Sequence, residues 1–154
     1  MGIHSIHETL TLPVTLEVAW DFISNPGNLR KITPAHMGFE ITTPGLPQTI
    51  YPGMIISYKV APLLRIKMTW VTEITHVREL QYFVDEQRIG PYAMWHHEHQ
   101  LESAPEGVRM TDIVSYKLPF GIIGNWAHRL FVKRQLNAIF QYRREKLELM
   151  FGKG

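Results

Sequence analysis

His97 and His99 are separated by one residue, and strand geometry at that spacing turns both imidazoles to one face, with Trp95 and Leu101 beside them. Imidazole can move a proton near neutral pH, hold a metal or anchor an oxygenated ligand. Two acids have the phase to meet the pair. Asp112 shares a face with Met110, Val114 and Tyr116 on the following strand, and Asp85 shares one with Phe83 and Gln87 on the preceding strand. Matching inward faces across the 103–107 turn sets Asp112 opposite His97 or His99. A hairpin closed about Ile89-Gly90-Pro91 sets Phe83 opposite His97 and Asp85 opposite Trp95.

A counter-charge comes from the far end of the chain. Residues 125–150 contain no Gly or Pro, which predicts a helix of roughly 26 residues, near 39 Å long. Val132, Leu136, Ile139, Phe140, Leu147 and Met150 fall on one stripe at 100° per residue, away from Gln135, Gln141, Glu145 and Glu148. Arg143 lies on that stripe, at the angle of Leu136 and Leu147. A guanidinium there needs a partner, and Asp85, Gln87 or Asp112 is expected to supply it.

This constellation admits several roles. The polar groups could satisfy one another and only fix how helix and sheet dock. They could form the polar end of a cavity that orients one oxygenated group of an apolar ligand. They could act as general acid and base, with Tyr116 donating to a developing oxyanion, although no motif identifies a nucleophile or a reaction. Metal binding would need His97, His99 and Asp112 to converge without help from cysteine. The ligand-site assignment takes Phe83, Trp95 and Phe140 as apolar wall and Asp85, Gln87, His97, His99, Asp112, Tyr116 and Arg143 as polar contacts. No catalytic residue, metal or cofactor is assigned.

The elements that must position these groups follow from period and punctuation. Residues 3–12 alternate as a strand ending at Pro13. Thr15 can cap a short helix carrying Val18, Trp20, Phe22 and Ile23, which Asn25-Pro26-Gly27 stops. A second short helix is expected around 29–32, before Thr33-Pro34. From 38 to 118 the period is two, with strands near 38–43, 53–60, 64–74, 80–88, 92–102 and 108–118 between Gly- and Pro-marked turns. With the first strand this makes an antiparallel sheet of about seven strands, enough to curl around the final helix. The apolar, glycine-hinged 119–124 loop stands where a gate to the space between them could lie.

Composition bounds the remainder. The 154 residues suit one domain, 1–154, with a substantial core. Formal net charge is only +2 and the basic residues are spread out or, between Arg129 and Lys146, interrupted by Glu145, which argues against a nucleic-acid surface. There is no cysteine, so disulfide and thiolate chemistry are excluded, and a reducing cytoplasm is the expected location. The first residues alternate instead of building a basic head and apolar run, so no secretory signal is expected. Ile6 breaks the myristoylation pattern, and no apolar run approaches the ~20 residues that cross a bilayer.

Strand, two short helices, a long meander and a last amphipathic helix is the order of the α+β helix-grip fold. Phe83-x-Asp85-x-Gln87, Gly90-Pro91-Tyr92, Trp95-x-His97-x-His99, Asp112-x-x-x-Tyr116 and Phe140-x-x-Arg143 resemble a bacterial branch of the START and birch-pollen-allergen superfamily, also called SRPBCC or polyketide-cyclase-like. Trp20-Asp21-Phe22-Ile23 and Ile32-Thr33-Pro34 extend the resemblance over almost the whole chain. It implies a protein that binds a small hydrophobic or amphipathic molecule, lipid included, between sheet and helix, more as a carrier than an enzyme. The alternatives are an aromatase/cyclase- or dehydratase-like enzyme using the same cavity, and an interaction module with a filled core. An open pocket beside His97, His99 and Arg143 separates the first two from the third. Ligand identity, oligomeric state and pathway are not legible in these residues.

Overall fold

The computed structural model describes residues 2–62, 65–119, 126 and 131–154 of the protein. Strand β1 (His4–Leu12) gives way at Pro13 to helix α1 (Leu16–Ile23), whose Thr15 cap accepts a hydrogen bond from the Val18 amide at 3.3 Å. Glu17 sits in its first turn, where the helix dipole favours an acid. The second short helix starts earlier than expected, at Pro26, and is a 3₁₀ segment (Pro26–Ile32) opened by the Asn25 side chain accepting from the Gly27 amide at 2.9 Å. Prolines at both ends keep it short. A further 3₁₀ turn, Ala35–Met37, was not legible in the periodicity. It stops at Gly38, whose φ of +56° is the left-handed conformation glycine adopts without strain.

Strands β2 (Glu40–Ile41), β3 (Met54–Val60), β4 (Met68–Arg78), β5 (Tyr82–Ile89), β6 (Met94–Ala104) and β7 (Gly107–Lys117) follow, and then helix α2 (Lys133–Phe151). The order β1-β7-β6-β5-β4-β3-β2 is antiparallel throughout, so the meander is closed at one edge by the first strand returning to the last. Two expectations change. β2 is only two residues long, because the amides of Thr42 and Thr43 both turn to the Ser57 carbonyl and take the chain out of the ladder. β4 starts and ends four residues later than 64–74. Its turn into β5 lies at 79–81, where Leu80 adopts φ +61° and is held there by packing on the core. No glycine marks that turn. Shifts in the β4–β5 register add local twist, which helps a sheet wrap a helix.

The core falls into two apolar clusters. One joins Leu12, Trp20, Ile74, Phe83, Leu101 and Leu147, and the other joins Trp70, Tyr92, Val114, Tyr116, Leu136 and Phe140. Helix α2 spans both, burying Leu136, Phe140, Arg143 and Leu147 on one stripe as its period requires. Met150, expected on that stripe, is 41% exposed, because Phe151 turns inward instead, edge-on to Phe22 at 5.2 Å. The expected gate loop and first helical turns lie outside the described residues apart from Pro119 and Trp126. Among the described residues no helix is long and apolar enough to cross a membrane.

Candidate functional site

Strands β5, β6 and β7 lay the site out by register. His99 pairs with Asp112 across β6–β7, one of the two expected offsets. Across β5–β6, Phe83 pairs with His99 and Asp85 with His97, two residues from the expected pairing of Phe83 with His97 and Asp85 with Trp95. The shift comes from Gln87. Its side-chain amide donates to the Tyr92 carbonyl at 2.7 Å and accepts from the Tyr92 amide at 3.0 Å, so a wider loop replaces the hairpin closed about Gly90. An even slip keeps every side chain on its face.

Two acids and two imidazoles therefore meet beneath the helix. His97 Nε2 donates to Asp112 Oδ1 at 3.0 Å, and His99 Nε2 donates to Asp85 Oδ2 at 2.6 Å. The second ring nitrogens complete a square, with His99 Nδ1 2.9 Å from Asp112 Oδ1 and His97 Nδ1 3.6 Å from Asp85 Oδ2. The imidazoles lie one over the other with centroids 3.7 Å apart, and the Phe83 ring stacks on His99 at 4.1 Å. Arg143, buried as its place on the stripe requires, brings Nη2 to 3.4 Å from Asp112 Oδ1. Its Nε is buried without a hydrogen-bond acceptor among the described residues.

Burial works against charge here, and the partners decide the outcome. Burial would raise Asp112, but the Arg143 charge and the hydrogen bonds from His97 and His99 hold it well below the usual carboxylate value. Burial would raise Asp85 too, yet the facing imidazoles keep it lowered. Burial would lower His99, but its contacts with Asp112 and Asp85 raise it. His97 is lowered, by burial first and then by the neighbouring His99. The pair thus separates into one imidazole that protonates readily and one that stays neutral. Burial and the charge of Asp85 also push Tyr58 up, so that its hydroxyl, 3.3 Å from Thr72 Oγ1, stays protonated.

The square borders a cavity of about 200 Å³ between sheet, short helices and α2. The core is not filled there. Of the expected residues, Phe83, Asp85, Trp95, His97, His99, Phe140 and Arg143 line it. Gln87, Asp112 and Tyr116 stand behind: Gln87 on the Tyr92 backbone, Asp112 under both imidazoles, and Tyr116 against the rings of Tyr92 and Trp95. The proposed oxyanion donation by Tyr116 thus has no direct path to a molecule in the cavity. The sequence reading missed Tyr58, Tyr92, Phe39 and Phe22, which complete the aromatic wall. Phe22 and the inward phase of Tyr58 were available as signals, whereas Tyr92 enters from a loop whose path periodicity does not encode.

No family model and no curated protein matches the chain. Solved structures do resemble it. Protein CV1439 from Chromobacterium violaceum is 12% identical, with a TM-score of 0.71 and 97% of this chain and 99% of that one covered. The KanY protein is 15% identical, with a TM-score of 0.69 over 97% and 98% of the two chains. Ara h 8.0201, a birch-pollen-allergen-like protein, is 17% identical, with a TM-score of 0.58 over 95% and 98%. At these identities the likeness is one of architecture, and the chain has a helix-grip fold.

Proposed function

We propose that the protein binds a small, largely apolar molecule carrying one oxygen-bearing group, held in the cavity between the sheet and α2. The observation that carries this reading is the make-up of the wall: aromatic and aliphatic on most sides, with Asp85, His97, His99 and Arg143 gathered at one end. Few convergent polar groups on an apolar lining are the usual composition of a small-molecule site. Size narrows the class. An apolar cavity of about 150 Å³ accepts a benzene ring, so about 200 Å³ suits one ring with a short polar substituent.

Burying ~200 Å² of apolar ligand surface gains about 5 kcal/mol before ordering costs, and a neutral hydrogen bond adds ~1 kcal/mol. Binding in the micromolar range or weaker is expected. Toluene and benzyl alcohol form a matched pair, and quenching of Trp70 and Trp95, which line the cavity, reports their binding. Phe140→Ala should weaken both by about tenfold, equivalent to ~1.4 kcal/mol. His99→Gln should weaken benzyl alcohol alone, by about fivefold. Equal losses for both probes in the His99 variant would make the histidine structural, and failure of the unaltered protein to bind either would overturn the reading.

A further inference from the structure

The two imidazoles present opposite edges to the two acids, and the edges are not equivalent. On the covered side, His97 Nε2 and His99 Nδ1 lie 3.0 and 2.9 Å from one and the same oxygen of Asp112, which Arg143 approaches from α2 at 3.4 Å. On the cavity side, His97 Nδ1 and His99 Nε2 lie 3.6 and 2.6 Å from Asp85 Oδ2. Asp85, His97 and His99 line the cavity and Asp112 does not. The three ligand atoms on the cavity side fall within 4.8 Å of one another.

We propose that Asp85, His97 and His99 form a mononuclear site for a divalent first-row transition-metal ion at the polar end of the cavity. Three features carry this. The first is spacing: such an ion holds imidazole nitrogen and carboxylate oxygen at about 2.0–2.2 Å, which places its ligand atoms about 3–3.5 Å apart. The observed separations of 2.6 and 3.6 Å from Asp85 Oδ2 bracket that range, and all three ligand atoms lie within 4.8 Å of one another. The second is the support behind the ligands. Metal-bound histidines commonly donate their other N–H to a carboxylate that fixes tautomer and ring orientation; Asp112 receives that of His97 at 3.0 Å, and His99 Nδ1 lies 2.9 Å from the same oxygen and 3.4 Å from Arg143 Nη2. The third is charge. Arg143 stands 3.4 Å from Asp112, whereas among the described residues Asp85 has only imidazoles within ion-pair distance and feels the Arg143 charge from farther away.

The ion would take the place of the proton that His99 Nε2 shares with Asp85, and that proton would leave to water. Two nitrogens and one oxygen from the protein leave positions open for water or a ligand oxygen, the pattern of a reactive or ligand-binding centre rather than a closed structural one. The third ligand is therefore Asp85, and Asp112, the acid the spacing had suggested, supports the ligands from behind. Nothing in this depends on an organic molecule entering the cavity.

The test uses the full chain without a histidine tag, stripped with EDTA and titrated with zinc alone by calorimetry and with cobalt alone by visible absorption. Expected are one ion per chain at micromolar affinity or tighter and a cobalt d–d spectrum of bound nitrogen and oxygen. Asp85→Asn and His99→Gln should each weaken zinc binding at least 100-fold. Asp112→Asn should weaken it 10- to 100-fold, as loss of such a support does. His96→Gln, on the opposite face, should leave it unchanged. Circular dichroism checks that each variant is folded. If the variants do not fold, imidazole nitrogen NMR of the unaltered protein decides, since zinc must move two of its eight histidines. Absence of stoichiometric binding, or binding that survives Asp85→Asn, would overturn the proposal while leaving toluene and benzyl alcohol binding unaffected.

Discussion

Strands β5 and β6 carry histidine and acid on both faces, and the two faces behave differently. Outside, His96 Nδ1 is 2.7 Å from Glu86 Oε1 and its Nε2 is 3.5 Å from Glu98 Oε1, with about a third of each side chain in water. Inside, one residue along, His97 and His99 meet Asp112 and Asp85 at similar distances with less than a tenth of each imidazole exposed. Residue types and separations nearly match, so the difference is one of surroundings. Water screens the outer pair and can replace either partner. Inside, each charge must be met by another fixed group, which is why the inner set grows into a network of four groups and recruits Arg143 from the helix. Solvent exclusion, more than the presence of histidine, marks which face can hold a ligand or ion.

Removing the cation from each face gives the largest contrast. Arg143→Met leaves Asp112 buried without its guanidinium and should cost about 3–5 kcal/mol of stability in urea denaturation. Arg88→Met, which breaks the exposed pair with Glu73, should cost under about 1 kcal/mol. Similar losses from the two would mean that burial does not separate the faces.

A smaller effect should sharpen the comparison through pH. In metal-free protein at pH 7, Asp112→Asn should cost about 1–3 kcal/mol, because buried donors lose their anionic acceptor. Asp112 is held well below its ordinary value of 3.8, so its contribution is complete above that pH and is lost as pH falls through the folded value. The gap in melting temperature between variant and wild type should therefore narrow in acid. His99 runs the other way: raised above 6.5, it contributes stability below that pH which is lost as pH rises through its folded value. A gap that widened in acid would contradict the assigned direction for Asp112. The smallest change expected is Glu86→Gln, which touches only the outer-face contacts with His96 and Arg88 and should shift stability by less than about 1 kcal/mol.

The amino-acid sequence by itself determined what short-range geometry controls. A period of two assigns Asp85, His97, His99 and Asp112 to the inner face, and a period of 3.6 puts Arg143 in line with Leu136 and Leu147, because both periods follow from backbone dihedrals within a few residues. The order of elements, and through it the helix-grip architecture, was legible for the same reason. Only the tertiary structure decided which acid meets which imidazole edge. That depends on Gln87 reaching the Tyr92 backbone and widening the β5–β6 loop, and on Leu80 taking a left-handed turn where no glycine announces one. Both are settled by contacts between residues that period and propensity treat as independent. The cavity belongs to the same class: its volume is the space left after sheet, short helices and α2 have packed, and no single segment contains it.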